Sequence, residues 1–196
     1  MLLITNNCMG GSFYKDVVKI EFNHPFFWGQ ITPPLDIIKL INEFETINFD
    51  NYTLEKDKDW KFTLNIDNKI HYFLTHYIFS KTDTIPRKFL CEVYYNKIWE
   101  YIIEKYESRL QRMKQCKDKP CFAIHWSLKY ELDEIKLDEF IKNSFKYKTI
   151  IFMPFNKYKN YEKENLKLIF DESVNNEDAF FKLAFKYKTE LLKLGE

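Results

Sequence analysis

The chain has 196 residues, and its 30 lysines and arginines against 29 aspartates and glutamates give a formal net charge of +1. This balance removes the bulk electrostatic reason to expect nucleic acid as a partner. The length suits one domain with an ordinary core. Aromatic residues make up 18 % of the chain. Because Phe, Tyr, Ile, Asn and Lys are all supplied by A/T-rich codons, we attribute this bias to base composition rather than to a stacking ligand.

Two residue types are scarce, and both point to particular positions. Two of the four glycines stand side by side as Gly10 and Gly11. Among many lysines there are three arginines, at positions 87, 109 and 112. A planar guanidinium group suits bidentate binding of a carboxylate or phosphate. These positions are therefore candidates for a functional site.

The N-terminal part is predicted to hold a strand, a helix and a loop. The apolar residues 2–5 read as a buried strand, ended by two asparagines. Ser12 can cap a helix over 13–20. Three prolines and Gly29 punctuate residues 23–34, which we expect to form a loop.

The middle of the chain predicts two helices and a hairpin. Apolar residues at a helical period predict a helix over 35–47 and a long one at about 88–115. Between them, alternating residues on both sides of Asp67-Asn68-Lys69 predict a hairpin at about 60–77. In that hairpin, His76 shares the inward face with Ile70, Tyr72 and Leu74, and His71 faces outward.

The C-terminal part predicts alternating strands and helices. The expected elements are a strand at 121–126, a helix at 137–147, strands at 149–155 and 166–170, and a last helix capped by Asn176. This order favours an α/β fold, with a mixed sheet flanked by helices in a single domain over 1–196.

The ends and the cysteines indicate a cytoplasmic protein. The N-terminus lacks the basic and apolar regions of a signal peptide, and no apolar run is long enough to cross a membrane. The four cysteines are therefore expected to be free thiols. Cys116, Cys121 and His125 have ligand-like spacing but no fourth partner nearby, so we predict no metal and no cofactor, and a core position for Cys121.

The segment around Cys8 is the strongest candidate for catalysis. Cys8 follows a predicted strand and precedes a predicted helix, and the N-terminus of a helix stabilises a thiolate. The amides of Gly10 and Gly11 can form an oxyanion hole. A buried structural cysteine beside a tight turn is the alternative.

A thiol nucleophile needs a base, and four histidines are available. His76, at the end of its strand, is one candidate; His125 is its rival, and His24 lies in the predicted loop. Arg109 and Arg112 are three residues apart on the long helix, where they can hold an anionic group of a substrate or form ion pairs.

The segment LLITNNCMGGSFY resembles the start of a bacterial family of exopolysaccharide and capsule biosynthesis proteins, and of a related set described as papain-like cysteine peptidases. The resemblance continues in FLTHYIFS, which carries His76, and in WEYIIEKYESRLQRM, which carries Arg109 and Arg112. It implies Cys8 and His76 as the catalytic pair. It also implies a role for Asn7, or for Asn6, in orienting the imidazole or donating to an oxyanion.

Two functions follow from these patterns. The first is a cytoplasmic enzyme of surface-polysaccharide biosynthesis, a transferase or hydrolase that forms a thioester on Cys8 and acts on a glycan or small molecule. The second is a glycosyltransferase-like protein that binds a nucleotide sugar or glycan at the NNCMGG turn without covalent catalysis. A structural role in a complex with other polysaccharide biosynthesis enzymes is a third possibility.

Overall fold

A computed structural model of the chain contains helices and a mixed set of parallel and antiparallel strands, which confirms the α/β fold class. It describes residues 1–7, 9–20, 24–27, 29–31, 34–57, 62–74, 92–159, 161–176 and 179–196. None of the helices in these ranges is long and apolar enough to cross a membrane.

The regular elements are named here in chain order. The strands are β1 (Leu2–Thr5), β2 (Gly29–Ile31), β3 (Tyr52–Lys56), β4 (Phe62–Ile66), β5 (Ile70–Leu74), β6 (Pro120–His125), β7 (Thr149–Met153), β8 (Glu162–Lys163) and β9 (Leu166–Phe170). The helices are α1 (Met9–Ser12), α2 (Pro34–Glu43), α3 (Glu92–Gln115), α4 (Glu134–Ile141), α5 (Ala179–Lys186) and α6 (Lys188–Lys193). Helix α1 continues directly as a π-helical segment, Phe13–Val17.

The strands form two sheets. Sheet A has the order β1-β6-β7-β9-β8, in which the first four strands run parallel and β8 is antiparallel to β9. Sheet B has the order β2-β5-β4-β3 and is antiparallel throughout. In sheet A the chain reaches β6 only after all of sheet B, so β1 and β6 pair across a long stretch of sequence.

Sheet A is covered on both faces. On one face, Ile4, Phe122 and Ile151 belong to an apolar cluster shared with sheet B and with helices α2, α3 and α4. On the other face, Leu3 and Ala123 belong to a second cluster with α1, α5 and α6. The parallel strands read as continuous apolar runs because both of their faces are buried.

The predicted hairpin is confirmed where the structure describes it. Strands β4 and β5 pair antiparallel. Asp67 and Asn68 take positive φ angles of 54° and 51°, which Asn and Asp adopt more readily than most other residues. Tyr72 is fully buried and His71 is exposed, in agreement with the predicted faces.

The predicted loop at 23–34 is partly wrong, because Gly29–Ile31 is a strand that pairs with β5. The predicted helix at 137–147 ends earlier, at Ile141. There the side-chain amide of Asn143 donates to the carbonyls of Glu139 and Phe140, at 3.1 and 2.9 Å, and so satisfies groups that the next turn would have used.

The last predicted helix is two helices. Tyr187 separates α5 from α6 with a non-helical φ of −110° and ψ of 30°. Its hydroxyl group donates to Asp171 Oδ2 at 2.9 Å. The side-chain contact holds the chain at the break, a feature that the helical period does not reveal.

Candidate active site

The parallel strands of sheet A place the turns that follow β1, β6, β7 and β9 along one edge. Ligands of open α/β sheets bind at this carboxyl edge. The turn after β1 leads into α1 and contains Asn6 and Asn7, both buried. This is the segment in which the sequence places the candidate nucleophile.

Side chains of the turn itself hold α1 against β1. The Thr5 hydroxyl donates to the Asn7 carbonyl at 2.6 Å and accepts from the Gly10 amide at 3.1 Å. Asn7 Oδ1 accepts from the Met9 amide at 3.0 Å, as the cap of a helix does. The prediction that Ser12 caps the helix is wrong, because Ser12 lies within it and makes no capping bond.

Gly10 and Gly11 lie inside α1, and both are buried. A Cβ at Gly10 would come within 2.9 Å of Thr5 Oγ1 and 3.2 Å of Thr5 Cγ2. The sequence therefore needs glycine here for the close approach of helix and strand. Because the Gly10 amide already donates to Thr5, its predicted role in an oxyanion hole would require that bond to break; the role of Gly11 stays a prediction.

Asn7 carries an amide group whose donors are not used within the described chain. Its side chain is buried, with 3 % exposure, and its Oδ1 is held by Met9. Among the residues that the structure describes, Nδ2 makes no hydrogen bond. The hydroxyl of the fully buried Ser12 is in the same situation. Buried donors without acceptors cost roughly 1–3 kcal/mol each, so each one calls for an explanation, such as a bound water, an ion or a catalytic role.

A second asparagine fastens this turn to the end of β6. Asn6 Nδ2 donates to the His125 carbonyl at 3.1 Å, and the His125 amide donates to Asn6 Oδ1 at 2.8 Å. The Asn6 backbone carbonyl accepts a hydrogen bond from the Ile31 amide, at 3.0 Å. Asn6 thus extends the β1–β6 pairing beyond the last strand residue. From the sequence, Asn6 is expected only as the alternative to Asn7 in orienting an imidazole or donating to an oxyanion.

The side chain of His125 lies on the same face of sheet A as α1, because it continues the alternation of Cys121 and Ala123. Its Nε2 is 2.8 Å from the Val174 carbonyl oxygen. Since a carbonyl only accepts, Nε2 carries the hydrogen and Nδ1 is the acceptor nitrogen of the neutral ring. Burial lowers the pKa of His125 to about 4, which keeps it neutral near pH 7.

His24 is a structural residue at the outer edge of β1. Its Nε2 donates to the Leu3 carbonyl at 2.8 Å, and its Nδ1 accepts from the Phe26 amide at 3.2 Å. Beside it, the Leu3 amide donates to the Tyr14 hydroxyl at 2.9 Å. Burial lowers the pKa of His24 to about 3. With both ring nitrogens bound to backbone, His24 protects an edge strand and does not suit a catalytic base.

The two arginines of α3, Arg109 and Arg112, differ in how far they are buried and in what they contact. Arg109 is half-buried, and its charge helps to lower the pKa of His24, after the larger effect of burial on that ring. Arg109 therefore lies near the covered edge of β1. Arg112 is exposed and donates to Ser108 Oγ at 2.9 Å on its own helix. Their predicted joint binding of an anion stays a prediction.

Two buried aspartates outside the predicted site are built into the fold. Asp36 is buried, and its Oδ2 accepts from both the backbone amide and Nδ1 of His71, each at 2.8 Å. Asp171, after β9, accepts four hydrogen bonds. Neither aspartate is predicted from the sequence, although an aspartate in the first turn of a helix and one directly after a strand are recognisable signals.

Cys121 is in the core, as predicted. It is 2 % exposed, and burial raises its pKa to about 12, so its thiol is unreactive near neutral pH. Cys116 is partly buried. The two residues predicted to do the chemistry, Cys8 and His76, lie outside the described residues, and their assignment stays a prediction.

Comparisons of the chain with protein-family models, with curated proteins and with solved structures give no match.

Proposed function

We propose that the chain is a cytoplasmic enzyme of surface-polysaccharide biosynthesis that transfers or hydrolyses an acyl group through a thioester on Cys8. The observation that carries the proposal is the Asn7 side chain, which is 3 % exposed, fixed through Oδ1, and without an acceptor for Nδ2 within the described ranges. It stands next to Cys8 in the sequence. A fixed, buried donor beside a nucleophile is what stabilisation of an oxyanion requires.

The reaction proceeds in two steps. The thiol proton of Cys8 passes to a histidine, and the sulfur attacks the acyl carbonyl carbon. The bond from that carbon to the leaving group breaks, and the leaving group takes the proton from the histidine. Water or a hydroxyl group of an acceptor then attacks the thioester, which transfers the acyl group and returns Cys8 to its thiol form. In both steps the carbonyl oxygen becomes negative, and Asn7 Nδ2 donates to it.

The substrate class rests on the resemblance of the NNCMGG segment to polysaccharide biosynthesis proteins and on the arginines. Arg109 and Arg112 would hold an anionic part of a glycan or of its activated donor. Half-burial of Arg109 favours this role, because a guanidinium group shielded from water binds an anion more strongly than an exposed one.

The alternative is a protein that binds a nucleotide sugar without covalent chemistry. A phosphate at the start of α1 would need free amides. The Met9 amide is bound to Asn7, and the Gly10 amide is bound to Thr5, so both would have to be released first. We therefore place this function second.

The test uses two reagents that react with a thiol by different routes. Acetylation by p-nitrophenyl acetate passes through an oxyanion, whereas alkylation by iodoacetamide does not. We expect acetylation of Cys8, detected by peptide mass spectrometry and reversed by hydroxylamine. The Asn7→Ser variant should slow acetylation about 100-fold, the size of effect typical of an oxyanion donor. Its alkylation rate should change less than about threefold.

The controls lie in the same chain. Thr46→Ala removes an exposed hydroxyl outside the candidate site and should leave acetylation unchanged. Cys121, buried and with a raised pKa, should stay unmodified in every sample. If Cys8 is acetylated and alkylated no faster than free cysteine at pH 7, thiol catalysis is wrong. Thermal stabilisation by UDP- or GDP-sugars that persists in Cys8→Ala would then favour the binding function.

A further inference from the structure

We propose that His125 is the base that takes the proton of the Cys8 thiol. The inference rests on the proposed function and deepens it, because the sequence favours His76 and leaves His125 as the rival. Four observations on described residues carry it: the attachment of His125 to the turn, the face on which its side chain lies, the tautomer of its ring, and the commitment of His24 elsewhere.

The attachment is direct. Asn6, two residues before Cys8 in the sequence, holds both the backbone amide and the carbonyl of His125, at 2.8 and 3.1 Å. A base must keep a fixed distance to its nucleophile through many turnovers. Two hydrogen bonds from one buried side chain provide such a connection between the end of β6 and the turn after β1.

The face of the sheet is the right one. The side chain of His125 is on the side of sheet A that α1 covers, because Ala123, two residues earlier, packs with Met9 and Phe13. Thr5 contacts the start of α1 on this side as well. The turn after β1, helix α1 and the imidazole of His125 therefore share one side of the sheet edge.

The ring is held in the tautomer that a base needs. Its Nε2–H donates to the Val174 carbonyl at 2.8 Å, which leaves Nδ1 as the proton acceptor. This carbonyl belongs to the segment Glu172–Asn175, directly after β9. Once a proton arrives at Nδ1, the bond to the Val174 carbonyl strengthens, because it then has a charged donor.

The proton transfer is internal to the pair. The S–H bond of Cys8 breaks, an N–H bond forms at Nδ1, and the two residues become a thiolate and an imidazolium. Burial lowers the pKa of His125. An adjacent thiolate raises that pKa, because the negative thiolate stabilises the positive imidazolium. The imidazolium then protonates the leaving group of the acyl donor.

The experiment measures the pH at which Cys8 becomes reactive. Iodoacetamide alkylation of Cys8 is followed by peptide mass spectrometry between pH 5 and 9 in the natural chain and in His125→Gln, His76→Gln and His71→Gln. Glutamine at 125 retains a donor for the Val174 carbonyl but has no basic nitrogen. Circular dichroism and thermal unfolding of each variant show whether the fold is retained.

We expect His125→Gln to move the alkylation midpoint upward, toward the ordinary thiol value of about 8.5, and to slow alkylation at pH 7 about tenfold or more. His71→Gln, which changes an exposed ring, should leave the profile unchanged. An upward shift in His76→Gln together with no shift in His125→Gln would overturn the inference while leaving thiol catalysis intact. An ordinary thiol profile in the natural chain would overturn the proposed function itself.

If His125→Gln fails to fold, His125→Asn is measured instead. Asparagine also lacks a basic nitrogen, and its shorter side chain places an amide near the position of Nδ1. A natural-like midpoint in this variant contradicts the inference, and an upward shift supports it.

Discussion

The turn after β1 and the turn after β9 both leave the carboxyl edge of sheet A, and each is built around one buried side chain. In the turn after β9, every oxygen of Asp171 is used. Its Oδ1 accepts from the amide and hydroxyl of Ser173, at 2.9 and 2.6 Å. Its Oδ2 accepts from Lys186 at 2.7 Å and from Tyr187 at 2.9 Å. This turn is complete without a ligand.

In the turn after β1, the corresponding side chain is used only in part. Asn7 accepts one hydrogen bond, from the Met9 amide, and its Nδ2 has no acceptor within the described part of the chain. The difference separates two purposes of a buried polar group. Asp171 connects a strand to two helices and so contributes to folding. The donor of Asn7 does not stabilise the fold and is suited to a group that arrives from outside.

The largest effect that tests this comparison is expected at Asp171. The Asp171→Ala variant leaves the Ser173 amide and the Tyr187 hydroxyl without their acceptor and separates Lys186 from its carboxylate. We expect a loss of about 3 kcal/mol in the free energy of unfolding, measured with urea. The control is Asp138→Ala, since Asp138 is half-buried and, among the contacts described, bonds only to Lys157, at 3.1 and 3.4 Å. Its cost should stay below about 1 kcal/mol.

The same carboxylate predicts a specific acid sensitivity. Burial alone would raise the pKa of Asp171, but hydrogen bonds from Lys186, Ser173 and Tyr187 outweigh it and lower the pKa from 3.8 to about 2. The unfolded chain therefore binds a proton first as pH falls. The stabilisation is complete above about pH 4 and is lost toward pH 2. Asp171→Asn should lack this part of the pH dependence, and an unchanged acid profile would contradict the assignment.

The second effect is expected at Gly10, which joins the turn after β1 to its helix. In a helix, alanine is favoured over glycine by about 1 kcal/mol. Here we expect the opposite sign, because the new Cβ would lie 2.9 Å from Thr5 Oγ1 and displace a hydroxyl that makes two hydrogen bonds. Gly10→Ala should lower the free energy of unfolding by about 2 kcal/mol.

Gly195→Ala is the matched control for this substitution. Its Cβ would approach the Met1 side chain at 3.0 Å. Because Gly195 is the next-to-last residue of the chain, its own backbone can move away from Met1 at little cost, and a change below about 1 kcal/mol is expected. Equal effects of the two substitutions would show that the contact between Gly10 and Thr5 does not constrain the turn.

The sequence predicts those parts of this fold that depend on neighbours along the chain. The hairpin of β4 and β5 follows from alternation and from Asp67-Asn68, which tolerate positive φ. The strand β1 follows from its apolar run. The short strand β2 does not, because three residues between prolines carry no period, and only their pairing with β5 makes them a strand.

For the candidate site, the sequence indicates the segment but not its connections. Scarce glycines and the Asn-Asn pair draw attention to residues 6–11. The bond between Asn6 and His125 spans 119 positions and leaves no local pattern. Likewise, the strand-end position of His125 is readable from the sequence, whereas its tautomer depends on a carbonyl 49 positions away. Such long-range contacts exist only once sheet A is assembled.

The smallest effect is expected at Asn7, and it tests the second half of the comparison most directly. Asn7→Ala removes the acceptor of the Met9 amide and should cost about 1 kcal/mol in the free energy of unfolding, as the loss of a helix cap does. Asn7→Ser keeps an oxygen for that amide and removes the donor that has no acceptor within the described residues. Its cost should stay below about 0.5 kcal/mol, because serine caps helices as well as asparagine. Urea unfolding of both variants measures the difference. If Asn7→Ser costs about 2 kcal/mol or more, Nδ2 stabilises the fold in the same way as the oxygens of Asp171. The turn after β1 then has no donor available to bind an oxyanion.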